Sequence, residues 1–179
     1  MHKIIVAVCG SISAYVACEL VDALHKGGED VHVIMTPTAA RFVTPLSFQV
    51  LSDHPVAIDN YALGEPWHIP HIQLSRDADA LFIVPATATT MAKIAAGMAD
   101  NVLTAAVLSA RCPIYFAPSM NVNMYENPVT QSNIQKLCER GMHLIEPATG
   151  KMICGATGRG KMLSAETLKA IVWDIIARL

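Results

Sequence analysis

Hydrophobic residues along this chain are gathered into five short runs that are separated by longer amphipathic segments. The runs cover residues 3–9, 31–35, 80–86, 113–117 and 142–147, and apolar side chains follow one another in them without polar alternation. Continuous apolar runs of this length are typical of strands that are buried on both faces. The pattern therefore predicts five strands at the centre of the fold.

The segments between these runs have helical spacing. In the first, Ala14, Ala17, Val21 and Leu24 share one face, and Gly27-Gly28 ends the helix. We expect a short helix ending at Ala78 and further helices over residues 38–51, 87–97, 101–110, 128–140 and 165–178. Strands and helices that alternate in this way predict an α/β fold with a parallel sheet between two helical layers.

The composition of the chain argues against several classes of function. The 179 residues fit a single domain, 1–179, and no run approaches the roughly 18 apolar residues of a membrane helix. A net charge of -2 without a Lys/Arg block argues against nucleic acid and membrane partners. We therefore expect a cytoplasmic protein. Because 53% of the residues are hydrophobic, we also expect subunit interfaces.

The cysteines and histidines do not indicate a metal site. Five cysteines are an odd number and include no CxxC, so neither a disulfide framework nor a thiolate zinc site is predicted. His68 and His71 are three residues apart, but Pro70 interrupts any helix through both, and no cysteine is nearby. We predict no metal.

The loops after the strands are the places where parallel sheets bind ligands. The first loop, CGSISAY, lacks the GxGxxG of dinucleotide sites, and the second strand ends without an acidic residue. Gly10, Ser11, Ser13 and Thr36 instead suit a single phosphate on a mononucleotide-like cofactor, although Ser11 also fits a simple helix cap. The third loop, PATATTMAK, offers small side chains and hydroxyls to a flat ring.

GATGRGK, residues 155–161, matches the GxxxxGK pattern of a P-loop, but Met162 stands where a Ser or Thr is required and no clear strand precedes it. We reject the P-loop. We interpret the segment as a glycine-rich flap that carries Cys154, Arg159 and Lys161 over an anionic substrate.

Three motifs together resemble a known family. HIQLSRDADALFIVPATATTMAKIAAGMADNVLT, PSMNVNMYENP and MICGATGRGKM occur in the order found in the flavin-dependent cysteine decarboxylases, and FVTPLSFQVLS is also similar. The resemblance is closest to the bacterial phosphopantothenoylcysteine decarboxylases of coenzyme A biosynthesis. It implies a Rossmann-like (flavodoxin-like) three-layer sandwich that binds FMN. It also implies homotrimers or dodecamers of trimers with sites between protomers, and a separate ligase that makes the substrate.

The resemblance also assigns residues. The catalytic set is His71, Asn121 and Cys154, and the substrate set is Asn121, Met124, Arg159 and Lys161. The flavin contacts fall on Gly10, Ser11, Ser13, Thr36, Ala86, Thr87, Thr89 and Thr90. The chain departs from the family at Thr89, where Asn is usual, and at Ser119, where PAMN or PNMN is usual.

The implied reaction converts 4'-phosphopantothenoyl-L-cysteine to 4'-phosphopantetheine. Oxidation of the thiol to a thioaldehyde places the carboxylate β to C=S, CO2 leaves, and the enethiol is then reduced. His71 helps to move the proton during oxidation, the Asn121 NH2 holds the carboxylate, and Cys154 protonates the enethiol.

Three alternatives stay open at this point. A peptidyl-cysteine decarboxylase of a natural-product pathway has the same flavin chemistry, but the members that act on peptides lack a counterpart of Cys154. A flavin prenyltransferase fits the PxMN and Cys-Gly segments poorly. A non-catalytic regulatory relative is disfavoured because His71, Asn121 and Cys154 are all present.

Overall fold

The computed structural model describes residues 1–58, 70–151 and 155–179. Its main sheet has five parallel strands in the order β2-β1-β3-β4-β5. They are β1 (Lys3–Val8), β2 (Asp30–Met35), β3 (Ala80–Ala86), β4 (Ile114–Pro118) and β5 (His143–Leu144). The predicted parallel sheet is confirmed.

Eight helices accompany these strands in the described ranges. They are α1 (Ala14–Lys26), α2 (Pro45–Ser52), α3 (Pro70–Arg76), α4 (Ala88–Ala96), α5 (Val102–Ser109), α6 (Val122–Tyr125), α7 (Pro128–Glu139) and α8 (Ala165–Ile176). A hairpin of β6 (Ala148–Lys151) and β7 (Thr157–Lys161) forms a second, antiparallel sheet. No helix of the described residues has the length and apolar character needed to cross a membrane.

Two hydrophobic cores lie on opposite faces of the sheet. Along β1, Ile4, Val6 and Val8 pack into the core beneath α1, α2 and α8. Ile5, Ala7 and Cys9 pack into the core beneath α4, α5 and α7. Because successive side chains of a strand point to opposite faces, burial on both sides explains why the strands are continuous apolar runs.

Three local predictions were wrong. The helix expected over residues 38–51 is a 3₁₀ turn (Ala39–Arg41) followed by α2, because Pro45 holds Thr44 in an extended conformation. β5 covers only two of the residues 142–147, and Pro147, which has no amide hydrogen, follows soon after it. No clear strand was expected before the predicted flap over residues 155–161, but β6 (Ala148–Lys151) precedes it, and the flap itself contains β7 (Thr157–Lys161).

The outer side of β2 is covered by the chain that follows α2. The Met35 N–H donates to the Ala57 carbonyl at 2.8 Å, and the Ala57 N–H donates to the Val33 carbonyl at 3.0 Å. This short segment therefore continues the backbone hydrogen bonding of the sheet beyond β2.

Candidate active site

A cleft of about 600 Å³ lies at the carboxyl ends of the strands. Its position follows from the strand order, because β2 and β3 lie on opposite sides of β1 and their loops separate there. The volume is within the range typical of cofactor and substrate pockets. Of the predicted residues, the cleft is lined by Gly10, Ser11, Thr36, Thr87, Thr89, Thr90 and Met124.

The floor of the cleft is formed where the loops after β1 and β2 press together. A Cβ atom on Gly10 would lie 2.4 Å from Thr38 Cγ2, a distance that only glycine avoids. Thr36 Oγ1 accepts a hydrogen bond from the Ala39 N–H at 3.1 Å, which fixes the second loop. The missing side chain at Gly10 therefore lets the first loop pack directly against the second.

Three serine hydroxyls meet at this floor. Ser13 is the N-cap residue of α1, but its side chain makes no capping bond. Ser11 Oγ accepts from the Ser13 N–H at 3.2 Å, and the Ser119 hydroxyl donates to Ser13 Oγ at 3.0 Å. The N-cap position of α1 thus belongs to Ser13 and not to Ser11.

The third loop places the hydroxyl groups of Thr87, Thr89 and Thr90 along the cleft. Thr87 caps α4 by accepting from the Thr90 N–H at 3.4 Å, and Thr87 Oγ1 also donates to Thr90 Oγ1 at 3.1 Å. Thr89 is exposed on the cleft wall, whereas Ala86 is buried below it. Burial raises the pKa of the adjacent Cys9 thiol, against hydrogen bonds from Thr90 and Thr87, so this thiol stays protonated.

Asn121 begins the short helix α6. Its carboxamide oxygen accepts from the Asn123 N–H at 2.8 Å, which makes it the N-cap residue. Ser119 and Met120, immediately before it, line the cleft. The capping bond therefore fixes the orientation of the carboxamide at the cleft edge, close to the end of β4.

The β6–β7 hairpin docks on this corner. The Met120 N–H donates to the Gly160 carbonyl at 3.0 Å, and a Cβ on Gly158 would lie 2.3 Å from Val122 Cγ2. Arg159 pairs with Glu146 at 2.7 Å and lies over the ring of Tyr125. The hairpin, which includes residues of the predicted flap, therefore packs against α6.

The predicted residues of this flap are only partly described. Lys161 is exposed on β7, and Arg159, expected to bind substrate, already has Glu146 as an ion-pair partner. Cys154 lies outside the described residues, as does His68. The catalytic assignment of Cys154 therefore stays a prediction.

His71 lies in the first turn of α3 and is not among the described residues that line the cleft. Its Nδ1 atom is buried and has no hydrogen-bond partner in the described part of the chain. The Ser75 hydroxyl donates to the His71 carbonyl at 2.7 Å. Within one chain, Asn121 directly follows the lining residue Met120, whereas no described residue of α3 lines the cleft.

Two features of the cleft were missed in the sequence. Lys93 and Asp100 form an ion pair on its wall, and the hydrogen bond from Lys93 holds the pKa of Asp100 below its ordinary value. Ser119 is a buried hydroxyl at the end of an apolar strand. A hydroxyl residue at the end of a buried strand can be recognised in a sequence, and it indicates a hydrogen-bonded site because buried polar groups need partners.

A separate polar cluster lies at the amino end of β2. Asp30 accepts hydrogen bonds from His32 at 3.2 Å and from His54 at 2.8 Å, and the two imidazole rings stack 4.2 Å apart. Each imidazole already has a carboxylate oxygen as its partner. This cluster is at the opposite end of β2 from the cleft.

Comparisons with known proteins give one consistent result. The family model "Flavoprotein" matches residues 1–178. A probable phosphopantothenoylcysteine decarboxylase of Streptococcus mutans is 43% identical over 168 residues, which are 93% of this chain and 94% of the relative. The coenzyme A biosynthesis bifunctional protein CoaBC of Bacillus subtilis is 41% identical over 93% of this chain. The chain spans 41% of that relative's length.

Solved structures agree with these relatives. A cysteine-to-serine variant of a PPC decarboxylase, in complex with pantothenoylaminoethenethiol, is similar with a TM-score of 0.85 and 28% identity over 97% of both chains. The FMN-dependent cysteine decarboxylase SpaF is similar with a TM-score of 0.78 and 32% identity, covering 96% of this chain and 97% of its own.

Proposed function

Because the chain belongs to the flavoprotein family, we propose that it is an FMN-dependent decarboxylase that converts phosphopantothenoylcysteine to phosphopantetheine and CO2. The observation that carries this proposal is the similarity of 43% identity to the Streptococcus mutans relative over nearly the whole of both chains. The cleft lies at the carboxyl edge of the sheet, where parallel sheets bind ligands, and its lining residue Met120 directly precedes Asn121. We propose that the reaction takes place in the cytoplasm.

The fit of a flavin mononucleotide to the cleft rests on residues of this chain. Ser11, Ser13 and the amino end of α1 suit a phosphate, because hydroxyls and helix N-termini favour a negative charge. Gly10 lets the first loop pack against Thr38 at the edge of the cleft, and the hydroxyl groups of Thr87 and Thr90 suit the heteroatoms of a flat ring. Thr89 occupies the place of the family's usual Asn, and its shorter side chain changes the contact there.

When bound, the flavin would supply the two-electron oxidation of the substrate thiol, which creates an electron sink next to the carboxylate, and would return the same two electrons when the enethiol is reduced. The residues of this chain have the remaining tasks. His71 accepts the thiol proton, for which an imidazole is suited near neutral pH. The Asn121 carboxamide donates to the carboxylate and orients it without a strong ion pair, which would stabilise the group that must leave.

After CO2 has left, Cys154 is proposed to donate the proton that the enethiol needs for its reduction to the saturated thiol. Met124, Arg159 and Lys161 are proposed to contact the rest of the substrate. Arg159 can do so only if it exchanges or shares its Glu146 partner. Lys161 is exposed on β7, so it is the simpler contact for a phosphate.

We also propose that the enzyme is a homotrimer, or a dodecamer of trimers, whose active sites lie between protomers. Two observations support this. His71 does not line the cleft of its own chain. In addition, exposed apolar side chains lie in the loop before α1, in the first turn of α1, at the end of the 3₁₀ turn and on α2; they are Ile12, Tyr15, Phe42, Leu46 and Val50. A second proposed partner is the ligase that supplies the substrate.

The experiment begins with the absorption spectrum of the purified protein, with and without added FMN. CO2 release is then measured with phosphopantothenoylcysteine and, separately, with a peptide that ends in cysteine. We expect a flavin spectrum and turnover of the first substrate. Turnover of the peptide alone would support the peptidyl-cysteine alternative, and a folded protein that takes up no FMN would refute both.

The variant Cys154→Ser separates the two halves of the reaction. We expect it to release CO2 while failing to accumulate the saturated thiol, because the proposed proton donor for the enethiol is missing. Mass spectrometry of the product distinguishes the enethiol from the thiol by two hydrogen atoms. Normal product from this variant would remove the role proposed for Cys154.

A further inference from the structure

Ser119 connects two parts of the cleft that are more than 100 residues apart in the chain. Its side chain is 7% exposed and its hydroxyl lies 3.0 Å from Ser13 Oγ and 3.4 Å from Ser11 Oγ. Its backbone is held as well, because the Ser119 N–H donates to the Ala86 carbonyl at 3.1 Å. Ser119 therefore links the first loop to the end of β4 and is held in place by both its side chain and its backbone.

The hydrogen atoms of the three hydroxyls can be assigned one by one. Each serine hydroxyl has one hydrogen to donate. The Ser119 hydrogen goes to Ser13 Oγ, so the Ser11 hydroxyl is the donor in its 3.4 Å contact with Ser119, and Ser11 Oγ accepts from the Ser13 N–H. The Ser13 hydroxyl hydrogen then has no acceptor within the described residues, and Ser13 does not cap its own helix.

A hydroxyl that accepts a hydrogen bond from one neighbour can donate its own hydrogen to a further group. We call such a series of hydroxyls, in which every hydrogen bond points the same way, a relay. Here the relay runs from Ser11 through Ser119 and ends with the Ser13 hydrogen, at the amino end of α1, where an anion is favoured. A hydrogen bond accepted by a hydroxyl strengthens the bond that it donates. The group that completes the relay is an oxyanion such as a phosphate monoester.

We propose that Ser119 is a cofactor-positioning residue that acts through Ser13 on the phosphate of FMN. The inference rests on the proposed function and adds to it a residue of the PxMN segment. Because Asn121 follows two residues later and caps α6, Ser119 also ties the phosphate end of the cofactor to the residue proposed to hold the substrate. Position 119 in this chain thus contributes to cofactor binding through its hydroxyl.

The test compares FMN with riboflavin, which lacks the phosphate. For Ser119→Ala, loss of one hydrogen bond predicts that the Kd for FMN rises about two- to tenfold, while the Kd for riboflavin stays unchanged. Quenching of flavin fluorescence on titration of the apoprotein measures both constants. Ser47→Ala, which removes an exposed hydroxyl on α2, is the matched control and leaves both constants unchanged.

A double variant tests whether Ser119 acts through Ser13. We expect Ser13→Ala to weaken FMN binding at least as much as Ser119→Ala, and the double variant to be no weaker than Ser13→Ala alone. Equal weakening of FMN and riboflavin, or losses that add in the double variant, would overturn the inference. If Ser119→Ala does not fold, Ser119→Cys keeps the volume with a weak donor and carries the same comparison.

Failure of this inference is distinguishable from failure of the proposed function. A wild-type protein that binds neither flavin contradicts the proposed function. A wild-type protein that binds FMN, together with a Ser119→Ala variant that binds FMN equally well, contradicts only the role of Ser119.

Discussion

At the scale of single residues, Asn121 has a structural and a proposed chemical task on one carboxamide. The oxygen caps α6 through the Asn123 N–H, whereas the proposed task uses the NH2 group. The two tasks involve different atoms, so a substitution can remove one and keep the other. Serine is suited to this because it is a good N-cap residue but has no amide donor.

We predict that Asn121→Ser and Asn121→Ala both lower kcat for decarboxylation by about 10- to 100-fold, the cost of losing a hydrogen bond to a charged group. Only Asn121→Ala should also destabilise the fold, by about 1 kcal/mol, because it loses the cap. Steady-state kinetics and urea unfolding measure the two effects. Full activity in Asn121→Ser would show that the carboxamide does not hold the carboxylate.

The residues of the cleft show what could be predicted from the sequence at this scale. Gly10, Ser11 and Thr36 follow buried strands, and the position of strand ends in a parallel sheet was enough to place them at the cleft. The contact of Ser119 with Ser13 depends on how the end of β4 approaches α1. That distance is set by packing in three dimensions, which no local pattern contains.

At the scale of elements, the long buried strands and amphipathic helices were predicted to within a few residues, because their patterns repeat over several turns or pleats. The shorter elements were missed. α6 has four residues and depends on the Asn121 cap, and β7 depends on close packing of Gly158 against Val122. Elements held by one cap or one contact leave too little periodicity to be recognised.

The packing of the hairpin on α6 gives a testable pair. We predict that Gly158→Ala destabilises the fold by about 1–3 kcal/mol, because the added methyl group overlaps Val122. Val122→Ala in the same chain should restore most of that loss by removing the atoms in the way. Urea unfolding of the two single variants and the double variant measures the coupling, and simple additivity would mean that the two residues do not interact.

The cluster at the start of β2 predicts how stability depends on pH. Burial lowers the pKa of His32 more than Asp30 raises it, so the folded protein favours the neutral imidazole. Although partial burial opposes it, hydrogen bonds from His32 and His54 hold the pKa of Asp30 below its ordinary value. In both cases the unfolded chain binds more protons, so stability falls as the pH decreases.

We predict that the free energy of unfolding decreases from pH 7 to pH 5 because of His32, whose ordinary pKa is 6.5. Below about pH 4 it should decrease further because of Asp30. His32→Gln should flatten the profile between pH 7 and pH 5, whereas His25→Gln, at an exposed position on α1, should not. A profile that is equally steep in all three proteins would contradict this account.

At the scale of the whole molecule, the cleft of one chain is incomplete if His71 is catalytic. The exposed apolar side chains between Ile12 and Val50 are consistent with a neighbouring protomer that packs on this surface. The sequence composition indicated such interfaces in general terms. It could not indicate which helix of which protomer reaches the cleft, because that depends on the symmetry of the assembly.

Complementation tests this arrangement. Two differently tagged variants, His71→Ala and Asn121→Ala, are co-expressed, and mixed oligomers are isolated through both tags. Each variant alone should keep no more than about a tenth of the wild-type activity, whereas a mixed trimer with shared sites contains one complete site in three and should restore about a third of the wild-type activity. Mixed oligomers that are no more active than the single variants would place both residues of a site in the same chain.

The two outer strands of the main sheet also bear on how the protein behaves at high concentration. Unpaired strand edges are templates for fibril growth, because a second chain can add to their free N–H and C=O groups. In the described residues, the β2 side is already bonded to Ala57, and the β5 side offers only His143 and Leu144. Concentrated stocks should therefore resist conversion to thioflavin-positive aggregates.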